Sequence, residues 1–256
     1  MNEYMIKQDI LEVGKRMYAR GFVASNDGNI SVRLSENEIL ITASGVSKGY
    51  METSDLVKVD MDGKVLSGDK KPSSEIKMHL VVYRNRPDVN SVCHAHPQIA
   101  TAFAVSRKQC DKIALPEVIF SIGRVALSNY ATPSTQEVPD SISDIITKSD
   151  AVLLANHGAL TVGKDVFDAY YKMETLEHFA GITLYARLLG GEVGLDSQQV
   201  TELFRVRKEV FGKSEPAGMG DGFCGSKAAE ESNDEEKIKN MIEKVIKEEL
   251  AKMNLK

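Results

Sequence analysis

From Ile6 to Arg20 the apolar positions fall at Ile6, Ile10, Val13 and Met17, a spacing of three and four that lines one face of a helix. The run stops at Gly21, where a left-handed cap fits. The period then shortens to that of strands over Ile30 to Leu34, Glu38 to Thr42, Leu56 to Met61 and Lys64 to Leu66, the last two flanking the hairpin pair Asp62-Gly63. Helical patterns at Ser74 to Tyr83, Pro97 to Val105, Glu137 to Thr147, Val166 to Leu189 and Gln198 to Phe211 follow. They alternate with strand patterns at Ser91 to Ala95, Ala151 to Leu154 and Ala159 to Val162. This order predicts an α/β fold in three layers, a central and mostly antiparallel sheet flanked by helices.

Beyond Phe211 the pattern breaks. Residues 1–212 read as one domain. Residues 213–233, rich in Gly, Ser, Ala and acidic side chains, read as a flexible linker. In residues 234–256, Ile238, Met241, Ile242, Val245, Ile246, Leu250 and Met253 form one stripe, so the chain is expected to carry a tethered C-terminal amphipathic helix. An isolated helix of that length is marginal in water until its apolar face is covered, which points to docking in a groove or packing within its own assembly.

Composition narrows the class. A chain of 256 residues with 42% hydrophobic content can bury one sizeable core, and a net charge of -5 supplies no basic surface for nucleic acid. No apolar run approaches a membrane span, and the start Met1-Asn2-Glu3-Tyr4-Met5 lacks the pattern of a secretory signal, so a cytoplasmic location is expected. The three cysteines, Cys93, Cys110 and Cys224, form no CxxC pair, which suits a reducing compartment. Cys93 is expected to point into the core, opposite its neighbour His94.

The chemistry concentrates in few residues. His94 and His96, two apart on an extended segment, project to one face and can grip one metal ion. His157 ends a second apolar run, and Glu75 precedes an amphipathic helix; three imidazoles and a carboxylate describe a catalytic zinc site with a position left open. His79 and His178 lie within helical periodicity and are expected to pack or to support ligands rather than bind metal. Polar segments Asn26-Asp27-Gly28-Asn29, Thr42-Ala43-Ser44-Gly45 and Pro72-Ser73-Ser74 can offer N–H and hydroxyl donors. Ser73 or Ser74 is expected to cap the following helix, where a phosphate would be favoured. A phosphate site beside zinc and a carboxylate suits a small sugar phosphate.

In order, Gly28-Asn29-Ile30-Ser31, Thr42-Ala43-Ser44-Gly45, Pro72-Ser73-Ser74-Glu75, His94-Ala95-His96 and Asn156-His157-Gly158 resemble the motifs of the class II aldolase/adducin family, fuculose-phosphate aldolase type, over roughly residues 1–212. The resemblance implies one Zn²⁺ per subunit on His94, His96 and His157, and Glu75 as acid/base. It places Gly28, Asn29, Ser44, Gly45, Ser73 and Ser74 around the substrate phosphate, and implies a homotetramer. The implied reaction cleaves a 6-deoxyketose 1-phosphate, from L-fuculose or L-rhamnulose, to dihydroxyacetone phosphate and lactaldehyde. The pattern departs at Phe120 and Phe211, where fuculose-type members carry tyrosines; phenylalanine transfers no proton, leaving water or Tyr130 as donor. A pentulose-phosphate 4-epimerase or a methylthioribulose-phosphate dehydratase are the alternatives on the same metal scaffold, with Glu117 the nearest acidic residue for the first. A non-catalytic adducin-like binding module would be expected to lose ligands that this chain keeps. The linker and terminal helix resemble a bacterial microcompartment encapsulation peptide, which implies a shell protein as partner and a location inside that compartment.

Overall fold

The computed structural model describes residues 2–110 and 112–212, and the expected linker (213–233) and amphipathic helix (234–256) lie outside the described residues. Helix α1 (Glu3–Ala19) starts on Asn2, whose side chain accepts the Tyr4 N–H at 3.0 Å, and buries Ile6, Ile10, Val13 and Met17 as the spacing predicts. Strands β1 (Asn29–Arg33), β2 (Ile39–Thr42), β3 (Leu56–Val59) and β4 (Val65–Ser67) follow. Then come α2 (Ile76–Asn85), β5 (Ser91–Ala95), α3 (Gln98–Ser106), α4 (Pro116–Ser121), β6 (Val125–Leu127) and α5 (Glu137–Ile142). The chain continues through β7 (Ala151–Leu154), β8 (Gly158–Gly163), α6 (Val166–Leu188) and α7 (Ser197–Phe211).

The eight strands form one sheet in the order β4-β3-β2-β1-β5-β8-β7-β6, with every neighbouring pair antiparallel except β6 and β7. Strand alternation divides the core between its faces. On one face Ile30, Val32, Leu40, Cys93, Ala95, Leu153 and Ala159 meet α1, α3 and α6. On the other, Ile41, Val57, Val92, Val152, Leu160 and Val162 meet α2 and α5. Cys93 is thus a core residue turned away from His94, and the three-layer expectation holds. A smaller cluster of Ile113, Ile119 and Val200 joins α4 to α7.

Three expectations need correction, and two short elements were not expected at all. Helix α2 begins at Ile76 with Glu75 at its N-cap and no side-chain cap, so neither Ser73 nor Ser74 caps it; Ser73 Oγ instead accepts the Glu75 N–H at 3.3 Å. Helix α5 ends at Ile142, followed by turns rather than a helix to Thr147. Both α4 and β6 were too short to show a period in the sequence: α4 has six residues with Pro116 in its first turn, and β6 has three at the sheet edge. His178 is exposed on α6 and supports nothing in the site.

This topology gathers the chemistry at one end of the sheet. Strand β5 finishes there at Ala95, while β1 starts there with Asn29 paired to His94, and β8 starts there with Ala159 paired to Ala95. Strand β2 ends beside them at Thr42, whose hydroxyl accepts the Ile30 N–H at 3.2 Å and whose carbonyl accepts the Ser73 N–H at 3.1 Å. A single bridge, Ala43 to Pro72, then holds the 43–45 and 72–75 loops together.

Candidate metal centre and active site

His94 lies in β5, His96 just beyond it and His157 in the turn from β7 to β8; one nitrogen from each lies within 4.8 Å of the others, with rings 4.8 to 5.1 Å apart. The tautomers follow from the partners. His94 Nδ1–H donates to the Ala159 carbonyl at 2.9 Å, which leaves Nε2 as a bare lone pair. Glu75 faces this lone pair, with Oε2 at 3.2 Å from His94 Nε2 and Oε1 at 3.4 Å from His157 Nε2. His96 Nδ1 lies 3.4 Å from Asp27 Oδ2, so its Nε2 is also free.

His94 Nε2, His96 Nε2 and Glu75 Oε1 are buried without hydrogen-bond partners. Lone pairs do not converge on lone pairs unless a proton or a cation sits between them. The donor set, three imidazoles and a carboxylate at the edge, fits a divalent transition metal with a position open to a ligand. The electrostatics agree. Burial alone would raise the Glu75 carboxyl, but His94, then His157 and Asn29, outweigh it and hold it well below the usual carboxylate range. Burial, with His94 beside them, lowers His96 and pushes His157 down to about 4. For His94 burial also acts downward, yet the Glu75 carboxylate prevails and raises it.

Two glycines make room for this cluster. A Cβ on Gly158 would stand 2.4 Å from His96 Cδ2 and 2.6 Å from the Ala95 carbonyl. On Gly28, at φ +74°, it would stand 2.6 Å from Val23 Cγ1 and 2.9 Å from the His94 carbonyl. Between them, Asn156 takes a left-handed turn at φ 58° and anchors its side chain to Arg107 Nε at 3.1 Å, aiming His157 back at the sheet end.

The remaining predicted residues sit around Glu75. Asn29 is buried and its Nδ2–H donates to Glu75 Oε2 at 2.9 Å. Ser44 and Ser74 are exposed and joined, the Ser44 hydroxyl accepting the Ser74 N–H at 3.1 Å while donating to the Pro72 carbonyl at 3.0 Å. Ser73 is buried behind them. Gly45 lines a groove of about 420 Å³ with Ser25, Asn26, Ser47, Tyr18 and Tyr50. Tyr130 and Glu117 are exposed, and Phe120 packs against the α4–α7 cluster. Sequence reasoning passed over three contributors. Asp27 faces His96; Lys48, buried and thereby lowered to about 8, donates to the Asn26 carbonyl at 3.0 Å; and Glu177 of α6 accepts the Ile99 and Ala100 N–H groups at the start of α3, next to His96-Pro97. Of the three, only Lys48 is a charged residue in a buried position; Asp27 lies exposed in a loop and Glu177 is half-buried.

Two results are expected. Gly158→Ala should weaken divalent-metal affinity by about ten- to a hundredfold, read by competition with a chelator, because its methyl group displaces His96. As pH falls, His94 takes up a proton before His96 or His157, since its value alone is raised. Metal affinity should therefore drop about tenfold per pH unit below the His94 value, with one proton taken up per metal released, in the same titration run from pH 8 to 5.

Known proteins resemble this chain in sequence and fold. The family described as "Class II Aldolase and Adducin N-terminal domain" matches residues 8–184. An L-fuculose phosphate aldolase of Methanococcus maripaludis is 34% identical over 172 residues, 67% of this chain and 92% of that protein. A 3-oxo-tetronate 4-phosphate decarboxylase of Haemophilus influenzae is 32% identical over 184 residues, 70% of this chain and 87% of the other. A solved L-fuculose 1-phosphate aldolase superposes with a TM-score of 0.75 at 29% identity, covering 83% of this chain and 99% of that one. No helix among the described residues is long and apolar enough to cross a membrane. With that family's model matching residues 8–184 and the fold shared with the solved aldolase, the chain belongs to the class II aldolase family.

Proposed function

We propose that this protein is a zinc-dependent carbon–carbon lyase acting on a 6-deoxyketose 1-phosphate, L-fuculose or L-rhamnulose 1-phosphate, and releasing dihydroxyacetone phosphate and L-lactaldehyde. The observation that carries the reading is Glu75 standing within 3.4 Å of two histidines of the cluster while being held ionised. His94, His96 and His157 would hold the ion, which when bound supplies positive charge beside the carbonyl oxygen where negative charge develops. Asn29 fixes one oxygen of Glu75, leaving the other to move a proton. As the C3–C4 bond breaks, the C4 hydroxyl proton passes through water to the ionised Glu75, leaving lactaldehyde and an enediolate of dihydroxyacetone phosphate, and Glu75 delivers that proton to C3. Ser44, Gly45, Ser73 and Ser74, with Gly28 and Asn29, take the phosphate in this reading; the exposed Ser44 and Ser74 hydroxyls at the bridged loops support it.

A second reading rests on the decarboxylase relatives at similar identity and on Phe120, whose ring cannot take the hydroxyl proton that a departing aldehyde gives up. Loss of CO₂ from a 3-oxo acid phosphate leaves the same type of enediolate and needs no such acceptor. Tetrameric assembly and the encapsulation role of residues 234–256 belong to the same proposal, supported for the tail by its apolar stripe beyond a glycine-rich stretch.

Zinc-loaded protein should release dihydroxyacetone phosphate from L-fuculose or L-rhamnulose 1-phosphate, and Glu75→Gln should lower kcat by about 10²- to 10⁴-fold with zinc retained. Carbon dioxide evolved from 3-oxo-tetronate 4-phosphate, with no aldehyde from either sugar, would replace the aldolase with the decarboxylase. Deleting residues 234–256 should leave turnover in solution intact and abolish co-purification with microcompartment shell proteins. Lost turnover would show that the tail packs on its own enzyme.

A further inference from the structure

Behind Glu75 runs a line of buried polar groups that the proposed chemistry does not use. His79 in α2 is fully buried; its Nε2 lies 2.5 Å from Asn29 Oδ1 and its Nδ1 lies 2.6 Å from Ser31 Oγ, which in turn lies 2.7 Å from the Tyr83 hydroxyl. The far end is anchored by Arg33, which donates to the Tyr83 carbonyl at 2.6 Å and places its guanidinium 4.9 Å over the Tyr83 ring. Glu75, His79 and Tyr83 recur every four residues at and within α2, and Asn29, Ser31 and Arg33 every two along β1, so the seam zips one element to the other.

The direction of every bond in this line is forced by the ionised carboxylate at one end and the neutral imidazole behind it. An ionised carboxylate only accepts, so the Asn29 atom facing Glu75 must be the amide nitrogen, and Oδ1 must face His79. His79 Nε2 must then carry the proton, and because burial keeps this imidazole neutral, Nδ1 must accept, the single Ser31 proton must go to Nδ1, and the Tyr83 O–H must donate to Ser31. The geometry points to His79 as a positioning residue that acts through Asn29, locking the amide so that its N–H holds one Glu75 oxygen and leaves the other free at the histidine cluster. A free Asn29 side chain could rotate and present Oδ1 to the carboxylate, which would repel Glu75 from its working position; the one-way line from Tyr83 prevents that. This inference rests on the reading of Glu75 as the acid/base group for its kinetic consequence, but the direction of the line does not.

Neutron diffraction from the full, zinc-loaded chain tests the direction. Deuterium on His79 Nε2 and on Tyr83 Oη toward Ser31 is expected, and deuterium on His79 Nδ1 overturns the proposal. Kinetics on whichever substrate the enzyme turns over test the consequence. His79→Leu should lower kcat about tenfold or more with KM changed less than about twofold, and His79→Gln, whose amide N–H can reach Asn29 Oδ1, should recover most of the loss. Wild-type kcat in His79→Leu, or no recovery in a folded His79→Gln, overturns it. Ser31→Ala, a smaller change that removes the donor to Nδ1, gives the same test where His79→Leu does not fold: a severalfold fall in kcat at constant KM is expected, and an unchanged kcat overturns the proposal. A Glu75→Gln variant with full activity would sink the acid/base reading alone, since the diffraction result still decides the line.

Discussion

The pairing of β5 with β8 is the constraint on which the site depends. His94-Ala95-His96 and Asn156-His157-Gly158 lie far apart in the chain, and only the antiparallel register Ala95 to Ala159 puts them side by side. The same register turns the Ala159 carbonyl toward His94 Nδ1, so a backbone group belonging to the sheet also selects the tautomer of an imidazole. The price of that closeness is a missing side chain: any Cβ at 158 would strike the His96 ring. Sheet geometry and site geometry are therefore one requirement, and a shift of one residue would send His94 into the layer occupied by Cys93.

A second match of periods supports the first. Two residues of strand rise about 6.6 Å and four residues of helix about 6 Å, so side chains at alternate positions of β1 meet side chains at every fourth position of α2 over the whole seam. Buried polar groups are costly when unpaired, on the order of 1–3 kcal/mol each, and here each finds its partner across the strand–helix gap. The layer that covers the sheet thereby also fixes the carboxylate at its end. Burying a carboxylate and imidazoles together opposes good folding taken alone, and the surrounding lines of bonds show where the structure compensates.

Long periodic segments were legible in the sequence because burial of one face wrote itself into the spacing. The stripe Ile6, Ile10, Val13 and Met17 gave α1, and the alternation around Val92 to Ala95 separated Cys93 from His94. The histidines and Glu75 were legible because few residue types bind metals and those present fell at the ends of apolar runs. What stayed hidden was short or non-local. Helix α4 and strand β6 are too brief to show a period, and the serines were read as a helix cap because their hydroxyls suit one, whereas Ser73 is buried with its hydroxyl on the Glu75 N–H and Ser74 joins the loop of Ser44. Asp27, Lys48 and Glu177 act through partners distant in sequence, which no local pattern encodes.

Glu177 carries a consequence for how a ligand lies. The start of α3, immediately after His96-Pro97, is a concentration of outward-pointing N–H groups, and such a helix end ordinarily draws any anion that comes near. The chain fills it with its own carboxylate, with Glu177 oxygens 2.9 and 2.8 Å from the Ile99 and Ala100 nitrogens. An elongated substrate bearing charge at one end gains nothing by turning that end toward α3. The internal anion acts as a decoy that has already been taken, so this end of the site exerts no pull on the charged end of an incoming molecule.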